Sequence, residues 1–252
     1  MRESRASKVP HVTLAFWVIK LLATTVGETG GDALSMSLDL GYAVATLIYV
    51  GLFAVALAAQ VAARRFRPFV YWAVVVTTTT VGTTLSDYLD RTVGLGYVKS
   101  SAALLTGVLV VLLIWRRVTG RIAFDQITSR TDEIFYWLTI LISNTLGTAL
   151  GDFVATTAGL GFERGTLVFA GLLALVAAVY RWGRGIPRSV LFWSAYVLTR
   201  PFGATLGDTL TKPRAEGGLA LGRIAASLAL AAAMTVGIAL VTRRERRAPH
   251  DC

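Results

Sequence analysis

Cysteine is all but missing from this chain. The one present is Cys252, so neither a disulfide framework nor a thiolate metal site can be drawn. Histidine is as scarce: His11 and His250 both lie outside or at the edge of the apolar runs, which excludes a haem or an imidazole-rich transition-metal centre. No serine or cysteine is accompanied by a histidine base, and the chain is expected not to be an enzyme. Charge is thin as well. Only 16% of 252 residues are charged while 54% are hydrophobic, a balance that reads as an integral membrane protein. The net charge of +10 does not point to nucleic acid, because the basic residues stand in short clusters between apolar runs, where cytoplasmic loops carry them.

What is present is a unit repeated four times. Each copy reads Trp-x9-Gly-x4-Asp-x8-Gly: Trp17, Gly27, Asp32, Gly41; Trp72, Gly82, Asp87, Gly96; Trp137, Gly147, Asp152, Gly161; Trp193, Gly203, Asp208, Gly217. Self-similarity at fixed offsets is the mark of a repeat architecture. Within each copy two apolar stretches of about 20 residues, enough to cross a ~30 Å hydrocarbon core, flank a short turn. The repeats run over 12–66, 67–120, 132–186 and 188–241, with 243–252 as a basic tail, and the whole chain is expected to form one membrane domain. The basic start, Met1 to Lys8, leads into an apolar run carrying Lys20 and Glu28, which reads as a first span and not as a removed signal peptide.

Orientation follows from counting Lys and Arg. The two tails and the three connectors between repeats hold 17, whereas the turns inside repeats hold five, Arg91, Lys99, Arg164, Lys212 and Arg214. Both termini are therefore expected in the cytoplasm of a bacterial inner membrane. Since each copy crosses twice, all four enter from one side as parallel repeats. Each repeat Trp reads as an interfacial anchor. Asp39, Asp90, Glu163 and Glu216 read as solvated turn residues, and the stretch from Gly120 to Glu133 as a solvated loop.

On a wheel of ~100° per residue, small residues share one stripe of each first helix: Ala23, Gly27, Gly31; Thr78, Gly82, Ser86; Ser143, Gly147, Gly151; Thr199, Gly203, Gly207. This is the small-xxx-small pattern of close membrane-helix packing. Beside it runs a polar ladder three, seven, eleven and fifteen residues after the Trp. It comprises Lys20, Thr24, Glu28, Asp32; Val75, Thr79, Thr83, Asp87; Ile140, Asn144, Thr148, Asp152; and Tyr196, Arg200, Ala204, Asp208. A polar face bordered by a close-packing face predicts that the first helices meet around a shared, wet interior. The second helices, with almost nothing polar, would face lipid. The expected fold is thus an all-α membrane protein of eight transmembrane helices, four parallel two-helix repeats with a pseudo-fourfold arrangement, first helices inside and second outside.

Ionisable groups in a bilayer cost about 2.5 to 3.5 kcal/mol each even on lenient scales, so their recurrence points to a pathway for ions or protons. Asp32, Glu28, Asp87, Asp152 and Asp208 supply oxygen ligands suited to a hard divalent cation, with Thr24, Thr83, Asn144 and Thr148 as auxiliary oxygens. Lys20 and Arg200 are counter-charges, or the site for an anionic group. The leading expectation is an inner-membrane transporter of a divalent cation, Mn2+ first, with no resident cofactor. The alternatives are a proton-coupled carrier of a small organic solute and a structural or sensory protein held together by its polar ring. Membrane lipid and the solute are the expected partners, and a homo-oligomer is left open.

With the four tryptophans, glycines and aspartates in place, the chain resembles a family of bacterial membrane proteins built from four tandem copies of a repeat of unknown function, each with two spans and a characteristic Trp. The resemblance covers about residues 12 to 241 and implies eight spans and an inner-membrane location; it implies no activity. The segment Gly27-Glu28-Thr29-Gly30-Gly31-Asp32 is also similar to the Glu-x-Gly-Asp signature of small manganese and calcium exporters, with one extra residue, which implies a cation substrate and export. Repeat four departs from the others at Arg200-Pro201, where a kink closing one side of the pathway is expected.

Overall fold

The computed structural model describes residues 8–63, 65–124 and 127–247. The start of the basic amino-terminal tail, Arg64 of the first connector, and the end of the basic tail beyond residue 247 lie outside the described residues. Among the described residues there are eight α-helices and no strand: α1 (Leu14–Asp32), α2 (Gly41–Ala62), α3 (Pro68–Asp87), α4 (Tyr97–Thr119), α5 (Arg130–Asp152), α6 (Gly161–Trp182), α7 (Arg188–Thr211) and α8 (Arg223–Arg247).

Local chemistry sets the ends. Thr13 caps α1 by accepting from the Phe16 amide at 3.3 Å, Pro68 opens α3 where its missing N–H costs nothing, and Ser129 caps α5 through the Asp132 amide at 2.9 Å. The repeat's closing glycines, Gly41, Gly96, Gly161 and Gly217, all have positive φ, between 71° and 83°. That backbone turns the chain back toward the next helix and is strained for any residue with a Cβ. In the first three repeats the aspartate ends its helix and a wide π-helical turn follows, at Ala33–Ser37, Tyr88–Thr92 and Phe153–Thr157. Repeat four has instead a short 3-10 turn, Arg214–Glu216.

Six helical segments are long and apolar enough to cross a membrane: residues 41–62, 68–92, 97–119, 130–157, 161–182 and 223–245. Helices α1 and α7 fall short because they carry charge in mid-helix, Lys20 and Glu28 in one and Arg200 in the other. Burial separates two populations. In α3 and α5 the apolar window is 67% buried, whereas in α2 it is 11%.

The contacts explain that difference. Helix α1 packs on α3, α3 on α5, α5 on α7, and α7 back on α1. Each remaining helix leans mainly on the next repeat: α2 on α3, α4 on α5, α6 on α7, and α8 on α1. Every repeat is thereby strapped to its successor, and the fourth to the first.

Two registers of side chains fasten the cycle. At one end, the aromatic residue just before each Trp meets the Trp of the next repeat: Phe16 with Trp72 at 5.6 Å between ring centroids, Tyr71 with Trp137 at 5.7 Å, Tyr136 with Trp193 at 5.7 Å, and Phe192 with Trp17 at 5.6 Å. Trp72, Trp137 and Trp193 are buried. The expectation of interfacial anchors is corrected here, because these rings seal one end of the helix cycle through edge and tilted contacts that favour aromatic pairs.

The second register lies mid-helix. A Cβ built on Gly27 would meet Thr79; on Gly82, Asn144 and Thr145; on Gly147, Arg200 and Pro201; on Gly203, Thr24. The glycine ten residues after each Trp thus makes room for the side chain seven residues after the next Trp. One turn further on, Gly31 receives Thr83, Gly151 receives Ala204, and Gly207 receives Glu28. Ser86 stands at that level in repeat two and donates to Asp90 at 3.2 Å. Helix α7 continues through Pro201, whose ring takes the space that Gly147 leaves. The proline is thus a packing element between repeats three and four.

Candidate functional site: a buried charge column

The polar ladder turns inward as a set. Lys20, Thr24, Glu28, Asp32, Thr79, Thr83, Asp87, Asn144, Thr148, Asp152, Arg200 and Asp208 are all buried, none above 3% exposure. The interior is therefore packed and shut off from solvent, and the open wet cavity expected from the sequence is corrected to a closed column of paired groups. The close approach that the glycines allow has filled the axis with side chains.

At mid-height one guanidinium gathers all four repeats. Arg200 Nη2 donates to Glu28 Oε2 at 2.9 Å, Thr83 Oγ1 at 2.5 Å, Thr148 Oγ1 at 2.6 Å and the Thr79 carbonyl at 3.3 Å. Thr83 also reaches Glu28 Oε2 at 3.2 Å. Arg200 was expected to offset the aspartates; it pairs with Glu28 instead, because its position on α7 sets it about two turns short of them.

The aspartates have other partners. Arg91 bridges Asp87 at 3.0 Å and Asp152 at 3.0 Å, and donates to the hydroxyls of Tyr97 and Tyr42 at 2.9 and 3.1 Å. Lys212 bridges Asp32 at 3.3 Å and Asp208 at 3.4 Å, and Arg223 approaches Asp32 at 3.4 Å. Burial draws the Lys212 ammonium down, but the Asp208 and Asp32 carboxylates outweigh it and hold it above the ordinary lysine range. Each clamp joins its own repeat's aspartate to that of the next. The signal was in the sequence: a base stands four residues after the aspartate in repeats two and four, where repeats one and three have Met36 and Thr156.

Lys20 is the exception. It is fully buried, its ammonium has no hydrogen-bond partner, and it stands 4.1 Å from the centre of the Tyr196 ring. Around it other groups are idle: Arg200 Nε and Nη1 have no partner, nor has the acceptor Asn144 Oδ1, although Asn144 Nδ2 donates to Thr78 at 3.1 Å. Below, Tyr71 and Tyr136 share a 2.6 Å hydrogen bond across the aromatic seal.

Two further readings change. Asp90 is buried beside Ser86 and not solvated, because the π-helical turn folds it inward; Asp39, Glu163 and Glu216 are exposed as expected. The stretch ending at Glu133 is no solvated loop at its end. Asp132 accepts from the Trp115 indole at 2.8 Å and Glu133 pairs with Lys8 at 3.0 Å, both buried in the first turn of α5. Among the described residues no group of three or more Asp, Glu, His or Cys side chains comes together as could hold a metal ion. Glu28, Asp32, Asp87, Asp152 and Asp208 are instead divided among four basic partners, Arg200, Arg91, Lys212 and Arg223.

A family model described as a repeat of unknown function, DUF347, matches this chain four times, at residues 15–66, 70–121, 135–185 and 191–247. The chain belongs to this family. Each DUF347 match takes in its repeat Trp, nearly all of both helices and the aspartate between them, so the units that the family model finds are those whose side chains lock end to end in the structure. No curated protein and no solved structure matches the chain.

Proposed function

We propose that this DUF347 protein is a carrier in a bacterial inner membrane, not an enzyme, and that it moves a small charged solute coupled to protons. In this reading all eight helices cross the bilayer as parallel repeats about a pseudo-fourfold axis, with the aromatic seal and both termini toward the cytoplasm. Helices α1 and α7 cross because apolar helices pack on both and their charges, Lys20 apart, are paired within the protein.

The observation that carries the reading is the Glu28–Arg200 pair at 2.9 Å, on which a side chain from every repeat converges. A buried ion pair is a poor stabiliser compared with apolar packing of the same volume, so its place at the meeting point of four helices argues for use. A proton on Glu28 would cancel its half of the attraction and free Arg200 from α1. The hold between repeats one and four then weakens, which is the differential interaction that alternating access requires.

The test is purified protein in liposomes with a trapped pH dye and an imposed pH gradient, challenged with one small solute at a time. Solute-dependent proton movement is expected for the native chain and is lost in Glu28→Gln. A Glu28→Gln variant that folds and moves protons unchanged overturns the reading.

A hard divalent cation, Mn2+ first and Mg2+ or Ca2+ next, is the second reading, favoured by five buried carboxylates in one helix cycle. It requires Arg91 and Lys212 to leave their acids. Mn2+ quenching of a trapped dye, abolished by Asp87→Asn or Asp152→Asn, would establish it. Should all the Asp→Asn changes lower stability and leave every flux untouched, the column only holds the repeats together.

A further inference from the structure

We infer that the groove between α2 and α5 at the tryptophan end holds one anionic phospholipid, an acyl chain lying against Trp137 and the phosphate on Arg130. This goes beyond the carrier reading and does not depend on it. The groove has a volume of about 430 Å³, within the ~300–1,000 Å³ of ligand sites. One wall is Phe53, Leu57 and Val61 of α2, the other Ile134, Leu138 and Leu141 of α5. Each set recurs every three or four residues and so forms a stripe along its helix. From Val61 to Phe53 the wall runs about 12 Å, close to half of a ~30 Å hydrocarbon core. Its length suits one acyl chain of one leaflet.

The repeats themselves show why the groove is here. Gln60 and Trp115 hold the same place, nineteen residues after Gly41 and Gly96. Trp115 stacks on Phe135 and meets Trp193, at 6.0 and 5.8 Å, so repeat two covers the flank of the repeat-four tryptophan. Gln60 instead turns its amide to the Lys8 carbonyl at 3.1 Å, and Trp137 is left to line the groove.

The mouth selects the headgroup. Arg130 stands at the rim, is exposed, and forms no ion pair among the described residues. The two acids beside it are buried and engaged: Glu133 pairs with Lys8 at 3.0 Å, and Asp132 accepts from the Trp115 indole and the Ser129 hydroxyl, each at 2.8 Å. Arg65 and Arg67, in the connector that follows Val61, are exposed as well. Four bases thus stand against two acids, and a phosphate at the rim meets the bases that are free. A basic rim over an apolar cleft between helices is the arrangement that holds anionic lipid headgroups. A second copy packed about a two-fold axis would set this basic rim against its own counterpart.

The test is equilibrium retention of radiolabelled dioleoyl-phosphatidylglycerol by the purified full chain in detergent, beside phosphatidylcholine with the same acyl chains. The anionic lipid is expected to bind about fivefold more tightly or better. Arg130→Gln should abolish that preference and leave phosphatidylcholine unchanged, Arg130→Lys should keep it, and Leu138→Trp, which fills the groove, should weaken both lipids. Arg130 and Leu138 are both exposed, so melting temperatures should hold and loss of lipid is not loss of fold. Equal retention of the two lipids overturns the inference, as does a preference untouched by Arg130→Gln. A preference lost equally in Arg184→Gln, an exposed base elsewhere, overturns it in favour of a general basic surface. A chain that is dimeric in detergent and made monomeric by Leu138→Trp assigns the groove to a second copy and overturns it too.

Discussion

The two ends of the buried column stand on the same repeated scaffold and solve the same problem in opposite ways. At the tryptophan end all four repeats do one job, pairing each Trp with the aromatic residue of the repeat before it at 5.6 or 5.7 Å. The seal is apolar, and the buried Lys20 beside it has no hydrogen-bond partner among the described residues. At the aspartate end the acids repeat four times but the bases only twice. Arg91 and Lys212 each clamp two repeats, so fourfold chemistry becomes twofold electrostatics. Packing positions can be identical in every repeat, because each meets the same neighbour. Charged positions cannot, because four like charges at one level repel and need a partner from a repeat that differs.

That contrast can be broken, and the largest break is at its middle. Arg200→Met strands Glu28 without its ion partner at the centre of the cycle and is expected to cost about 3–5 kcal/mol, read as a large drop in melting temperature in detergent. Adding Glu28→Gln should restore most of the loss, since the two residues act as one unit. An Arg200→Met chain as stable as the native one would show that the centre is not where the repeats are held.

Next come the glycines that let the column form. Gly147→Ala drives a Cβ into Arg200, and Gly27→Ala one into Thr79, each expected to cost about 1–3 kcal/mol by overpacking. Gly171, on the outer helix α6, has nothing within 4 Å of such a Cβ, and Gly171→Ala should stabilise by about 0.5–1 kcal/mol through helix propensity. Equal effects at the three sites would dissolve the distinction between inner and outer helices.

The clamps come third. Arg91→Gln should cost about 1 kcal/mol, since its side chain is 31% exposed and water screens part of the interaction. Its mark is local: faster amide exchange over residues 87–92 and 152–157, with the tryptophan end unchanged.

The smallest effect is with alkali. Lys212 is held above the ordinary lysine range by Asp208 and Asp32, so its contribution is complete below the unfolded lysine pKa and lost only as pH rises past the raised value. Thermal stability from pH 8 to about 10 should then show no loss traceable to this clamp, checked by comparing the native chain with Lys212→Met. A loss confined to the native chain in that window would contradict it.

Much of this was legible one residue at a time. The period, the small-residue stripe, the ladder and the pairs of apolar helices follow from offsets in the sequence, because helical geometry converts fixed spacing into fixed faces. Sequence reasoning missed Phe16, Tyr71, Tyr136 and Phe192 although each directly precedes a repeat Trp. It counted Arg91 and Lys212 as turn charges although each stands four residues after an aspartate. Asp90 and Trp115 could not be placed, since their burial depends on a π-helical turn and on an acid 17 positions away.

By itself the sequence determined the helices, their number and which face of each is small and which polar, since these depend only on local spacing and hydropathy. Only the tertiary structure decided that the interior is packed and not open, that Glu28 answers Arg200 and the aspartates answer Arg91, Lys212 and Arg223, and that Lys20 is left over. Those outcomes depend on the stagger between neighbouring helices. That stagger sets a residue seven places after one Trp against a glycine ten places after another, a distance no single repeat contains.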